Sequence, residues 1–567
     1  AIMLHTKSTL AQDPQPTNKT LDIALAQLQK ALQILEFRNS FIKNYEDTQQ
    51  LIAQNQDIIE LAKSINSKLY QRTQKERYLD AIINLHESSV YNRIRARLNL
   101  RKNIQFSNMP KEILVQENKL REALSKSLEQ NDAQSFQKFM DLNNEWDIFL
   151  QKLKKDYPNY FQMRYASLLS QPISYFENLP ENTTWIRYLF IEKELYAIII
   201  NEEGKKLIPL PTKELSNTLE QLRQEQFDVL EISASLTKLY DLLWKPLEAS
   251  LNTEKIVIFP DGPLYNLSFE MLTSQPIENF EDFNQYSLLN KYTFSYNFSL
   301  FLTQTAPEPA FFNKNFIGFA PSFTSEMKER YRMTIVDSSA TDKTYLTLLP
   351  QPFSKELIEN FEKSFNGKAF YNEKASKQVF LNNAKEYKII HIGTHAESNN
   401  VNPELSRLVF AKQLDSTSSQ DNYLYTYEIY NYDLSADLAV LTACETGKPG
   451  YQPGEGMISL AHAFTYAGSE SILTSLWEID EKSSAEIVGY FYKHLQEGLP
   501  KDEALKKAKQ TYLSQAQGRS LAPQYWAGLV LMGDTTAIPI SSSPSYLWWV
   551  GIALIALLLW FFLRKRF

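Results

Sequence analysis

The sequence predicts an all-α region, then an α/β domain built on a mostly parallel sheet covered by helices, then one membrane-spanning helix. Three observations carry this reading. Apolar residues before about residue 165 recur at helical spacing, short continuous apolar runs alternate with helical stretches from Thr183 onward, and an uncharged apolar run closes the chain. The 567 residues suffice for about three units at roughly 100–200 residues each. Hydrophobic residues at 43% and charged residues at 22% exclude a disordered chain. With 59 basic against 66 acidic residues the net charge is −7, so there is no general attraction to nucleic acid and none is expected as a partner.

Residues 1–165 read as successive helices. Leu21, Ala24, Leu25, Leu28, Ala31, Leu32 and Leu35 form one apolar stripe of an amphipathic helix. Leu51, Ile58, Ala62, Ile65 and Leu69 form a second, and Asp80–Leu100 and Pro110–Leu128 behave alike. The Ala24/Leu28 pair recurs at Ala81/Leu85, a separation that is no multiple of the tetratricopeptide period of about 34 residues. The region is therefore read as degenerate, tetratricopeptide-like helical hairpins, which present a surface to a protein partner. Arg93, Arg95, Arg97, Arg101 and Lys102 cluster here, but a spacing of two rotates successive charges around a helix, as on a solvated face.

Residues 166–540 are read as the α/β domain. Ile256–Phe259, Phe316–Ala320, Tyr387–Gly393, Leu438–Ala443, Ser471–Leu476 and Ala527–Met532 are short apolar runs. Continuous rather than alternating hydrophobicity marks strands buried on both faces. Helical stretches lie between them at Lys355–Phe365, Gly456–Ala467, Ser483–Gln496 and Lys501–Ser514. In such an architecture, ligands and catalytic groups gather at the carboxyl ends of the strands.

Two residues sit at expected strand ends: His395 after Ile389–Thr394, and Cys444 after Leu438–Ala443. Cys444 is the chain's single cysteine, so no internal disulfide or multi-cysteine metal site is available. A thiol needs a base to act as a nucleophile near neutral pH, and an imidazole supplies one; a buried inert cysteine is the alternative. His391 lies mid-strand, roughly 13 Å of extended chain from His395, so both cannot serve one sulfur. It is read as a hydrogen-bonded structural histidine. His462 and His494 fall in helices without metal-ligand partners at useful spacing, so no metal is expected. Gly447, Gly450, Gly454 and Gly456, with Pro449 and Pro453, form a loop after Cys444 that lacks the order of a phosphate-binding loop. No cofactor is expected.

Residues 541–567 are read as a linker and anchor. Tyr546–Leu563 carries no charge and would span roughly 27 Å as a helix, close to a hydrocarbon core of about 30 Å. Trp548, Trp549 and Trp560 lie toward its ends, and Arg564, Lys565 and Arg566 follow it. The basic tail favours the cytoplasm, placing the main body on the opposite side. No export signal is visible at the first residues, so a tail anchor facing the cytoplasm stays open.

The stretch Thr442–Glu455, with Ala443-Cys444-Glu445-Thr446-Gly447 followed by Gly454-Glu455-Gly456, resembles the cysteine motif of the CHAT family, caspase-like peptidase domains associated with tetratricopeptide repeats. The resemblance runs through Phe259–Leu264, Phe269-Glu270, His391–His395, Ala467-Gly468, Ser475-Leu476-Trp477 with Asp480, Phe491-Tyr492, Ala504-Leu505 and Trp526–Gly533. It implies a caspase-like fold in which His395 and Cys444 form the catalytic dyad. Cys444 would be the nucleophile, His395 the proton carrier, and the backbone N–H groups of Ala396 and Cys444 the oxyanion donors. The substrate would be a protein or peptide, cleaved through a thioester. Asp261 and Asp480 are read as fixing turns. The family commonly has His-Gly where this chain has His395-Ala396; alanine keeps the N–H but tolerates φ > 0 poorly. A catalytically silent scaffold on the same fold is the alternative.

Overall fold

The computed structural model describes residues 2–13, 15–39, 45–100, 110–127, 133–157, 161, 179–224, 228–303, 314–334, 341–397, 399, 405–414, 422–430, 432, 434–442 and 460–540. Cys444, the glycine-bearing segment 447–456, the basic side chains at 93–102 and the apolar run 546–563 lie outside that description. Among the described residues, no helix is long and apolar enough to cross a membrane.

The chain begins with helices α1 (Ile2–Ala11), α2 (Asn18–Asn39), α3 (Tyr45–Thr73), α4 (Glu76–Leu100), α5 (Lys111–Ser127) and α6 (Ala133–Asp156). The apolar stripes read from the sequence become one packed surface: Leu21, Leu28, Ile58, Ile65, Leu69 and Ile82 are all buried in it. That surface is not closed by helices alone. It continues into Trp185, Leu189, Ile198, Ile200 and Phe259 of the sheet, so α2–α4 form a layer on one sheet face. Helices α5 and α6 bury a smaller cluster of their own around Trp146 and Phe149, whose rings stack 5.8 Å apart.

Strands β1 (Thr183–Ile191), β2 (Glu194–Asn201) and β3 (Gly204–Leu210) form an antiparallel meander, and β4 (Lys255–Phe259) joins β1 in parallel. There follow β5 (Thr293–Tyr296), β6 (Lys314–Ala320), β7 (Lys368–Tyr371), β8 (Tyr387–Ile392), β9 (His395–Glu397), β10 (Arg407–Val409), β11 (Tyr423–Tyr425), β12 (Leu438–Leu441), β13 (Ser471–Ser475) and β14 (Leu529–Gly533). The main sheet has 11 strands in the order β3-β2-β1-β4-β5-β14-β13-β12-β8-β6-β7, and β9, β10 and β11 form a separate three-stranded sheet. Pairing in the main sheet is parallel apart from the β1–β2–β3 meander and β13–β14.

The apolar runs are continuous because both faces are covered. In β2, Leu195, Ala197 and Ile199 face one core, while Ile198 and Ile200 face the helical layer. The expected strands are present with shifted ends. The one expected through Gly393 stops at Ile392, and that expected through Ala443 is described to Leu441. The meander was not predicted, because its β1–β2 turn is made by Glu192 (φ 57°) and Lys193 instead of the glycine or asparagine that usually marks a hairpin.

One buried ion pair fastens the helical layer to the sheet. Glu87 of α4 reaches Arg187 of β1 at 2.8 Å, and the two side chains are 0% and 1% exposed. The Glu87 carboxylate also accepts from Ser299 Oγ and, at 3.0 Å, from the Leu300 N–H just beyond β5. Arg187 Nη1 donates to the Pro260 carbonyl beyond β4 at 2.8 Å. Removing one member strands the other charge in the core. Glu87→Ala is expected to lower unfolding free energy by about 3–5 kcal/mol, read by urea titration. The pair Glu87→Leu with Arg187→Met should recover most of that loss, and recovery of none of it would mean that the charges themselves are required.

Candidate active site at the carboxyl ends of the parallel strands

Strands β7-β6-β8-β12-β13 run parallel in an order that reverses direction between β6 and β8. The chain leaves β6 toward the β7 edge and leaves β8 toward β12. Such a reversal opens a crevice outside the carboxyl ends of the strands. His395 follows β8 there, and Thr442 ends the described part of the β12 segment. The register pairs Val440 with His391 and Leu441 with Ile392.

Helix 352–364 forms the floor of this crevice and sits close to the sheet. A Cβ at Gly318 in β6 would meet Ile358 at 2.4 Å, and one at Gly393, just past β8, would meet the Ser354 side chain, so the helix crosses closely at both glycines. After Gly393 the chain turns. Thr394 is fully buried and its hydroxyl donates to the Val409 carbonyl. His395 then begins β9, so His391 and His395 belong to different sheets rather than to one strand.

His395 is half-buried. Its Nε2 lies 2.8 Å from the Leu349 carbonyl, which can only accept, so Nε2 carries the proton and Nδ1 is the basic nitrogen. The ring packs 5.2 Å from that of Phe323. Burial lowers the His395 pKa below the usual imidazole value and Lys328 adds to this, against the Leu349 bond, Glu478 and Glu397.

Ala396 is extended within β9 and is not among the residues with a left-handed φ. Phe410 donates its N–H to the Asn422 carbonyl, continuing the β10–β11 register, so Leu408 and Phe410 direct their backbone groups at β11. Alternation then turns Arg407 and Val409 toward β9, where they oppose Glu397 and His395. The Ala396 N–H, opposite Leu408, therefore points away from β10.

His391 is fully buried. Its Nδ1 is 3.0 Å from the Tyr492 hydroxyl and its Nε2 is 2.9 Å from Thr442 Oγ1. Asp261 accepts from the N–H groups of Phe190 (2.9 Å) and Gly262 (3.0 Å), and Asp480 caps helix 481–496 through the Ser483 N–H at 2.9 Å. Asp261 thus lies by β1 and β4, while Asp480 lies near the crevice. Among the described residues, no group of three or more His, Cys, Asp or Glu side chains could hold a metal ion.

A small open cleft with room for about one water molecule lies beside the end of β12, lined by Gln351, Thr442, Ser475, Ile479, Glu481, Ser484 and Leu529. Glu481 Oε1 accepts from the Ser354 N–H at 2.9 Å. Burial raises the Glu481 pKa, and the N–H groups of Ser354 and Phe353 oppose that rise. The sequence singled out Asp480 but not Glu481, because an acidic residue in a helix's first turn reads as an ordinary favourable charge. Gln351 and Leu349 precede a helix and carry no motif at all.

A family model described as the CHAT domain matches residues 233–534. Tetratricopeptide repeat protein 28 of Mus musculus is 30% identical over 131 residues, 23% of this chain and 5% of that protein. Its Homo sapiens counterpart is 22% identical over 393 residues, 61% of this chain and 14% of that protein. The chain therefore spans a small part of the length of these relatives. Among solved structures, the Saccharomyces cerevisiae separase–securin complex aligns with TM-score 0.45 and 11% identity, covering 94% of this chain and 40% of that one. The Arg-specific cysteine proteinase gingipain R aligns with TM-score 0.32 and 9% identity, covering 54% and 68%.

Burial pushes both His391 and His462 down to about 3, so the folded protein keeps them neutral. Unfolding returns each to an ordinary value near 6.5, and between pH 6.5 and 3 the unfolded chain binds the extra proton. Their contribution is whole above pH 6.5 and is lost as pH falls toward 3, at about 1.4 kcal/mol per pH unit for each histidine. His391→Gln is expected to lower stability at pH 7 and to flatten the acid slope of the urea midpoint. An unchanged slope would mean that His391 is protonated in the fold.

Proposed function

The chain belongs to the CHAT domain family, and from that premise we propose that it is a cysteine peptidase using a Cys444/His395 dyad. The observation that carries the proposal is the register of β8 and β12. These are adjacent parallel strands, and Leu441 pairs with Ile392. In sequence His395 and Cys444 each follow that pair by three residues, His395 after the turn into β9, and the two strands are about 4.8 Å apart where they pair. Two residues of chain from Thr442 reach at most roughly 7 Å.

In the proposed reaction, His395 Nδ1 takes the Cys444 proton and the thiolate attacks the scissile carbonyl carbon. The N–H groups of Ala396 and Cys444 hold the oxyanion. The imidazolium returns its proton to the leaving amine as the C–N bond breaks, leaving a thioester. Water then attacks, giving up a proton through the same imidazole, and the acid and the thiol are released. The extended Ala396, with its N–H turned from β10, needs no left-handed φ. That supports the peptidase reading over a silent scaffold.

The wider reading divides the chain into a helical region (1–165), a peptidase domain (166–540) and an anchor (541–567). The helical region would recruit or respond to a protein partner, and residues 546–563 would fix the chain in a membrane. The basic tail would face the cytoplasm with the body opposite, or the whole body would face the cytoplasm as a tail-anchored protein.

Cys444→Ala and His395→Ala are each expected to abolish hydrolysis of a peptide library, while circular dichroism shows the fold retained. Near-normal turnover in either variant would refute the dyad. Because burial lowers the His395 pKa, its imidazole stays neutral to below pH 6.5, so the acid limb of kcat/KM should lie below that value. For the anchor, carbonate extraction should leave the full chain in the membrane pellet and release a chain ending at residue 540. A full chain that is itself released would exclude the anchor.

A further inference from the structure

The turn that follows β6 is the one place where two successive described residues, neither of them glycine, are left-handed: Ser322 at φ 63° and Phe323 at φ 46°. A bulky residue rarely adopts that conformation, and such strain persists only where the surroundings impose it. Here the Phe323 N–H donates to the Pro321 carbonyl at 2.9 Å, closing a tight turn about Ser322, and the Gln351 N–H donates to the Ser322 carbonyl at 3.1 Å. The strained turn drives the Phe323 ring, which is fully buried, against the His395 imidazole at 5.2 Å. On its other side Phe323 packs edge-on against Tyr345 at 5.8 Å. Tyr345 is itself held by the Tyr331 ring at 5.4 Å and by Lys412, whose ammonium pairs with Asp342 at 3.0 Å. The imidazole has one further fixed contact, the bond from Nε2 to the Leu349 carbonyl. Leu349 lies at the rim with its side chain 72% exposed, so water competes for that carbonyl and the bond holds the ring weakly by itself.

We propose that Phe323 is a positioning residue for hydrolysis: its ring, fixed by the strained turn at Ser322, keeps the His395 imidazole on the Leu349 carbonyl, so that Nδ1 stays the basic nitrogen. The catalytic meaning of this placement rests on the peptidase reading given above. Phe323 is too buried to touch substrate, so it acts only through the imidazole. It also shields one side of that ring from water, and burial is the main cause that lowers the His395 pKa. The charged groups that face the ring are Lys328 of helix 325–334, Glu397 of β9 and Glu478 beyond β13, with the Tyr345 hydroxyl behind Phe323. A change at Phe323 leaves all of them in place.

The test follows two readouts on the full chain. One is the pH dependence of kcat/KM on a fluorogenic peptide found by screening a library. The other is NMR of isotope-labelled histidine, with the His395 signal assigned by its loss in His395→Gln. Wild type is expected to show a single tautomer with the proton on Nε2. Phe323→Ala should lower kcat by about tenfold or more, move the acid limb to higher pH and show both tautomers. Phe323→Leu keeps an apolar body over the imidazole and should retain the wild-type limb and tautomer. Phe323→Val, a smaller deletion, replaces the alanine variant if circular dichroism shows the latter unfolded. A merely structural role would reduce the amount of folded enzyme and move neither the limb nor the tautomer. An acid limb and a tautomer unchanged from wild type in the truncated variant would overturn the inference and leave the peptidase standing. A wild type that hydrolyses no library member would remove the peptidase reading, and the imidazole signals alone would then uphold or overturn the placement of His395 by Phe323.

Discussion

The parallel pairing of β8 with β12, buried two strands in from the β7 edge, is the constraint on which the rest of the crevice depends. Parallel neighbours cannot be joined by a tight turn, so the chain between them must leave the sheet and return. Here it does so through Thr394–His395 and the small β9–β10–β11 sheet. The pairing fixes the height of the two strand ends relative to each other. A slip of one residue would move His391 and every second side chain to the wrong face. His391 resists such a slip directly: its ring joins Thr442 at the end of β12 to Tyr492 on helix 481–496. A neutral, doubly hydrogen-bonded imidazole can do this in a dry core, where a charged one could not.

The helical region is tied to the same sheet at the carboxyl ends of β4 and β5, which run opposite to β8 and β12. Glu87 meets the chain just after β5, and its partner Arg187 meets the chain just after β4. Phe298, next to Ser299, packs edge-on against His462 at 5.1 Å. His462 lies on helix 460–466, which follows the segment containing Cys444. The seat of α4 on the sheet is thus two contacts and one peptide bond away from that helix. Its ion pair is costly to desolvate, a cost that hydrogen bonds from Ser299 and Leu300 and to Pro260 partly offset.

Much of the fold was legible because hydrophobic pattern is a strong signal where burial is complete. The stripes from Leu21 to Leu69 and the runs Ile256–Phe259, Phe316–Ala320 and Leu438–Leu441 have one reading each. The meander 183–210 was hidden by a hairpin turn made from Glu192 and Lys193, and β7 by its half-buried edge position. The break between β8 and β9 was hidden differently. Ile392-Gly393-Thr394-His395 is apolar enough to continue a strand, and the Gly393 N–H still bonds the Phe319 carbonyl of β6 before the chain turns into β9. Of the site, His395 could be read from its position after an apolar run. Leu349, Gln351 and Glu481 could not, because each gains its meaning from a neighbour far away in sequence.

Those three residues share one cause, the placement of helix 352–364. The glycines at 318 and 393 let the helix lie against β6 and β8 more closely than any side chain would permit. Its approach brings Leu349 beneath His395, where the carbonyl fixes the imidazole tautomer, and brings Gln351 beneath Thr394. Its first turn leaves N–H groups that the helix cannot satisfy, and Glu481 from the neighbouring helix supplies the acceptor. Glu481 is therefore held beside the end of β12 by the structural need of a helix terminus.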